Sequence, residues 1–288
     1  MKVAILGCGL IGGSLAAALR RRNLASSIVG HDRDADACAQ GVAAGLLDAS
    51  ADDARQAVHH ANLIVLAVPV GAMPALLAQI AGALAPTAVV TDVGSTKADV
   101  LAAARAALGP AFERFVPAHP IAGSERSGLQ AADPDLFEGC NVVLTATGET
   151  RADARARIER MWRSCGARIA HMDAGEHDRL LASVSHLPHV LAFALVARIA
   201  GESDAQRRLS FAGPGFRDFT RIAASSAPMW SDIALANRDA IGRELRSLIG
   251  TLQQVDRALA AGDAAWLQQL FELASRTRRQ MNGRGDDG

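Results

Sequence analysis

The sequence predicts an α/β chain, with an N-terminal domain built on a parallel sheet and an all-helical domain after it. Three observations carry this. The glycine turn Gly7-Cys8-Gly9-Leu10-Ile11-Gly12 lies between an apolar run at 2–6 and an alanine-rich helical stretch. Strand-like and helix-like segments then alternate to about residue 171. From Met172 onward the strand signal stops and helical periodicity takes over.

Strands are expected over 3–6, 27–31, 62–68, 88–91, 114–118 and 141–145, with 168–170 a further strand closing the domain. Continuous apolar runs such as Leu63-Ile64-Val65-Leu66-Ala67-Val68 suit strands buried on both faces of a parallel sheet. Helices are expected over 14–22, 35–44, 73–83, 97–108 and 152–164, then over 174–198, 227–236, 238–260 and 264–280. Pro188 should kink or split the 174–198 helix. Leu245, Leu248, Ile249, Leu252, Val255 and Leu259 recur at helical spacing and leave Arg243, Glu244, Arg246, Asp256 and Arg257 on the other side. Long helices of this kind suggest a dimerisation surface, although the same stripe also suits packing against the chain's own core. The domains are placed at 1–171 and 172–281, with 282–288 a flexible tail.

The glycine turn is the arrangement that holds a dinucleotide pyrophosphate. Gly7 allows the turn, Gly9 lets the backbone approach the phosphates, and Gly12 lets the helix pack close to its strand. The free N–H groups and positive end of that helix face the anion. Asp32 ends the second strand, twenty residues beyond Gly12, where an acid that binds the ribose is expected. It favours NAD over NADP. Arg33 beside it leaves NADP open, since it could meet a 2′-phosphate.

Bulk composition removes several function classes. Half of the 288 residues are apolar and 21% are charged, enough for a substantial core. Thirty basic residues balance thirty acidic ones, so there is no electrostatic footprint for nucleic acid or an acidic membrane. Cys8, Cys38, Cys140 and Cys165 form no CxxC pair, which speaks against structural zinc and a disulfide framework. There is no signal-peptide pattern, and the longest apolar stretch, 184–200, is interrupted by His186, Pro188, His189 and Arg198. A cytoplasmic protein is expected. The chain lacks tyrosine, and its only lysines are Lys2 and Lys97. Chemistry based on a Tyr-x-x-x-Lys pair is excluded, leaving His, Asp, Glu, Cys or Ser as acid or base.

Four clusters carry the polar groups that could act. Val68-Pro69-Val70 ends a strand at the carboxyl edge of the sheet, where cofactors bind. Asp92-Val93-Gly94-Ser95-Thr96-Lys97 joins a strand to a helix; Ser95 either caps that helix or offers its hydroxyl to the site. Lys97 would sit at the unfavourable end of the helix for a cation unless an anion lies near. His119-Pro120-Ile121-Ala122-Gly123-Ser124-Glu125 places a histidine at a strand end, suited to a general base or to a satisfied loop position. The last cluster joins Ser185-His186-Leu187-Pro188-His189 to 214–221. Its histidines are spaced for metal but lack a third ligand, so no metal is expected and a substrate pocket is favoured. Arg221 either forks onto a carboxylate or pairs with Asp218.

Together these segments resemble the prephenate and arogenate dehydrogenase family of tyrosine biosynthesis. The matching stretches are GCGLIGGS at 7–14, VP at 68–69, DVGSTK at 92–97, HPIAGSERSG at 119–128, SHLPH at 185–189 and GFRDFTRIAASSAPMWSDI at 215–233. The resemblance implies a Rossmann-type domain with a helical dimerisation domain, and NAD-dependent oxidative decarboxylation of prephenate or arogenate by a homodimer. His119 matches the catalytic histidine and Ser95 the serine that orients it. Arg221 matches the arginine that holds a substrate carboxylate, and Asp218 an acid close to it. His189, Glu125, Gly123 and Ser124 fall in segments that line the substrate pocket, and Trp230 reaches toward it, in one arrangement from across the dimer. Cofactor contacts fall on Gly7, Gly9, Leu10, Ile11, Gly12, Asp32, Arg33, Val68, Pro69, Asp92 and Gly94. Pro214 departs from the family pattern, standing where a Gly-Gly pair often precedes the phenylalanine. The matched segments include no regulatory or chorismate mutase region, so end-product inhibition would act at the active site. The resemblance leaves prephenate and arogenate both open. The rival readings are another two-domain dehydrogenase of a small hydroxy or imino acid, and a non-catalytic cofactor sensor.

Overall fold

The computed structural model describes residues 1–123, 126 and 128–282. Among these, β1 (Lys2–Leu6), β2 (Ser27–His31), β3 (Ala49–Ser50), β4 (Leu63–Leu66), β5 (Val89–Asp92) and β6 (Phe115–Val116) form one parallel sheet in the order β3-β2-β1-β4-β5-β6. β1 is its centre because every residue from Val3 to Leu6 is apolar. Val3 pairs with Ile28 on one side and Leu63 on the other. Helices α1 (Leu10–Arg21), α2 (Ala35–Ala43), α3 (Ala54–Val58), α4 (Met73–Ile80) and α5 (Ala98–Leu108) make the crossovers. Leu15 and Leu19 of α1 are fully buried on one face, while Leu77 and Ile80 of α4 are fully buried on the other. Each such side chain contributes about 1.5–3 kcal/mol of burial.

Three features differ from the sequence expectation. The helix expected from 14 begins at Leu10, with Gly9 as its N-cap. The glycine turn therefore ends in the helix's first turn. The two-residue β3 and the five-residue α3 are too short to leave a periodic signal. The single strand expected over 114–118 is divided at Pro117: β6 stays in the main sheet, and β7 (Ala118–Pro120) moves to a second one. There β7 pairs antiparallel with β8 (Asn141–Leu144), which pairs parallel with β9 (Arg168–His171). Proline has no N–H to give to a ladder, so the chain changes partners there. Helix α6 (Ala152–Ser164) links β8 to β9 and buries Trp162 against Phe137.

The helices that follow are α7 (Ala174–Leu181), a π-helical turn (Ala182–His186), α8 (Leu187–Ala200), α9 (Ala205–Ser210), α10 (Pro214–Thr220), α11 (Ala227–Ala236), α12 (Arg238–Ala261) and α13 (Ala264–Asn282). The 174–200 segment stays helical past Pro188 because the π turn precedes the proline, which then occupies the first turn of α8. By length and composition alone this run could cross a membrane, beyond what the interrupted 184–200 stretch suggests. It carries buried His177, Asp178 and His186, however, each hydrogen-bonded within the protein. Two compact units result, Met1–Ala240 and Ile241–Gly288. In the second, Ile249, Leu252, Leu259, Phe271 and Leu273 are exposed.

Candidate active site

The N-terminal cradle fits a dinucleotide by its own sterics. Gly7 has φ +108°, and a Cβ there would sit 2.3 Å from the Ala67 carbonyl oxygen. A Cβ on Gly12 would sit 2.0 Å from the Gly7 oxygen. Gly9 differs, because a Cβ there would meet nothing within 4 Å. Its bareness answers to something outside the protein, as close approach of a phosphate requires. Leu10 and Ile11 follow half-buried at the helix start. Asp32 is held beside the turn, one oxygen accepting from Cys8 N at 2.7 Å and the other from Asp34 N at 3.0 Å. Arg33 and Pro69 are exposed, and Val68 is half-buried.

Asp92, expected at the cofactor, is fully buried, and its carboxylate meets Lys97 Nζ, Gly94 N at 2.8 Å and Ala118 N at 3.2 Å. Lys97 is equally buried and also donates to the Ala118 carbonyl at 2.9 Å. The anion that the position of Lys97 demanded is therefore Asp92, and the pair braces the backbone just before His119. Gly94 is buried beside it.

His119 lies on β7, 8% exposed. Its Nδ1 is 2.8 Å from His177 Nε2, and His177 Nδ1 is 2.8 Å from Asp178 Oδ1. The Asp178 carboxylate also accepts from Lys97 N and Ala98 N, both at 2.9 Å, capping the start of α5. Protonation follows from the far end. A carboxylate only accepts, so His177 carries its proton on Nδ1 and offers a lone pair at Nε2. His119 must then donate from Nδ1, which leaves the lone pair on its own Nε2. Burial first, then His177, Lys97 and His186, push the His119 pKa well below 6.5, so the ring is a neutral base. Asp178 stays ionised, its pKa lowered by His177 and the two backbone N–H groups against the cost of burial.

Ser95 does not cap the helix: Lys97 is the N-cap of α5 and Asp178 satisfies that helix end. The His119 ring is hydrogen-bonded to His177. His177, Asp178 and Asn237 are the residues missed by sequence reasoning. Their signal was faint: a His-Asp pair in a short helix that also carries Glu176 and Arg179.

A second group of candidate residues lies on α8 and α11. His189 Nδ1 donates to the Ser185 carbonyl at 2.9 Å, and Trp230 stacks on its ring at 3.5 Å between centroids. Trp230 thus packs on a histidine of its own chain. Burial lowers the His189 pKa, and the Arg221 charge lowers it further, which places Arg221 within electrostatic reach. Arg221 is exposed on the turn after α10, and Asp218 is exposed on α10. Asn237 ties the two groups together, donating to the Asp178 carbonyl at 2.7 Å and to His186 Nδ1 at 3.0 Å. His119 therefore connects through His177, Asp178, Asn237, His186 and Trp230 to His189. Gly123 is exposed on the loop after β7, and Ser124 and Glu125 lie outside the described residues.

Two family models match: prephenate dehydrogenase, nucleotide-binding domain, over residues 15–171, and prephenate dehydrogenase, dimerization domain, over residues 173–273. The chain belongs to the prephenate dehydrogenase family. A family relative, the cyclohexadienyl dehydrogenase of Zymomonas mobilis, is 35% identical over 278 residues, which is 96% of this chain and 94% of that protein. The crystal structure of A. aeolicus prephenate dehydrogenase with hydroxyphenyl propionate and NAD+ superposes with TM-score 0.91 at 30% identity, covering 98% of each chain. Synechocystis arogenate dehydrogenase gives 0.80 at 29%, covering 98% of this chain and 100% of that one. Membership in the prephenate dehydrogenase family settles the fold class as a Rossmann-type domain followed by a helical domain of the dimerisation type.

Proposed function

We propose that this chain is an NAD-dependent oxidoreductase that oxidises and decarboxylates prephenate or arogenate, giving 4-hydroxyphenylpyruvate or tyrosine, in tyrosine biosynthesis. The observation that carries the reading is the neutral lone pair on His119 Nε2, fixed by His177 and Asp178. The glycine cradle and the His189–Trp230 stack lie in the same compact unit. The substrate is a cyclohexadiene with a ring hydroxyl opposite a ring carboxylate. His119 Nε2 takes the hydroxyl proton as that carbon becomes a carbonyl, a contribution on the order of 10²–10⁴-fold. NAD, when bound along Gly7–Gly12 and Asp32, supplies the hydride acceptor. Departure of the ring carboxylate as carbon dioxide restores aromaticity and makes the reaction irreversible. Arg221 holds a substrate carboxylate as a two-pronged fork, and the stacked His189 and Trp230 wall the ring and keep water away.

The domain boundary is assigned near residue 172, the enzyme is assigned as a cytoplasmic homodimer, and Ser95, Gly123, Ser124, Glu125 and Asp218 keep the pocket roles that the family pattern gives them. The apolar faces of α12 and α13 support the dimer, and Asp32 supports NAD over NADP. The test is NADH formation with prephenate and with arogenate, monitored at saturating NAD. Turnover of either confirms the reading. No turnover of both, alongside turnover of a small hydroxy acid, overturns it.

A further inference from the structure

We propose that Asn237 is a positioning residue: one amide ties α7 at the Asp178 carbonyl to His186 and locks that ring as the tautomer protonated on Nε2. This rests on the reading above for its kinetic consequence, but not for its structural core. The Asn237 side-chain nitrogen lies 2.7 Å from the Asp178 carbonyl oxygen. A carbonyl oxygen cannot donate, so the amide orientation is fixed by its surroundings. The same nitrogen lies 3.0 Å from His186 Nδ1, which must therefore accept. The proton of the neutral ring is on Nε2.

That Nε2 is buried and meets no partner at hydrogen-bond geometry. Asp178, His177, His189 and His119 are the ionisable groups that face the ring, and Trp230 meets it edge-on. Burial outweighs them and holds His186 at a pKa of about 4, so it is neutral while the enzyme works. The consequence is mechanical. One amide grips α7 at Asp178, which orients His177 and through it His119, and the same amide sets the His186 ring. The π turn is what brings His186 to this point.

The test begins with the full-length resting protein, labelled with ¹⁵N-histidine. His186 should show the Nε2–H tautomer and should not titrate between about pH 5.5 and 8. An Nδ1–H tautomer, or titration near 6.5, overturns the proposal whether or not the substrate assignment stands. Asn237→Asp cannot donate to either acceptor. It should move the His186 proton to Nδ1 and lower kcat by roughly tenfold to a hundredfold, with the Kd for NAD near wild type. His186→Gln keeps a group that can accept from the Asn237 amide and should retain most of the turnover that His186→Leu loses. An unchanged kcat in Asn237→Asp, or equal losses in the Gln and Leu variants, also overturns it.

Discussion

At His119 the tautomer is inherited through two hydrogen bonds from a carboxylate two residues away in the relay. Replacing His119 with Asn removes the lone pair while keeping a polar side chain of similar reach. Steady-state kinetics should show kcat falling by about 10²–10⁴-fold with NAD affinity near normal. Because burial depresses the His119 pKa well below 6.5, kcat/KM of the wild type should be flat from pH 6.5 upward. The same shift has a sign for stability. Below about 6.5 the unfolded chain takes up this proton first, so the stabilisation present at neutral pH is lost as pH falls toward the folded pKa. At the other end of the cradle, Asp32→Ser keeps a hydrogen-bonding group but removes the charge that repels a 2′-phosphate. The NADP-to-NAD ratio of kcat/KM should rise, and an unchanged ratio would place cofactor choice elsewhere.

Among the elements, the β5–α5 connection depends most on a single pair. Lys97 and Asp92 are both withdrawn from water, and each carries further hydrogen bonds to backbone. Lys97→Met should cost about 3–5 kcal/mol of unfolding free energy in urea titration, because it strands a buried carboxylate. The helix α5 would survive, since Asp178 rather than Lys97 satisfies its first N–H groups. Most of the strands were legible in the sequence, because an apolar run between turn residues is a local property. The division at Pro117 was half legible: proline announces a break, but only the pairing of β7 with β8 says where the chain goes next. The two-residue β3 left no pattern to read. The glycine turn and the place of His119 at a strand end were legible because motif and position coincide. His177 and Asp178 were not. A polar pair near a helix start reads as a solvent face until the N-terminus of α5 is seen packed on it.

For the molecule as a whole, the unit from Ile241 onward leaves several large apolar side chains exposed. Leu252 and Leu259, seven residues apart on α12, are 53% and 64% exposed. Apolar side chains recurring on one helix face suit an interaction face. Light scattering after size exclusion should give twice the chain mass. Leu252→Glu combined with Leu259→Glu should shift it toward the single-chain value; a wild-type chain that runs as a monomer at micromolar concentration would refute the dimer. The stack of Trp230 on His189 is made within one chain.

Asp178 belongs to one family segment and finishes a helix belonging to the other. A fragment cut at the boundary between them would leave α5 with a bare amino end and take from His119 the histidine that holds it. A chimera that exchanges only one segment should regain stability when a carboxylate is restored opposite the backbone of Lys97 and Ala98.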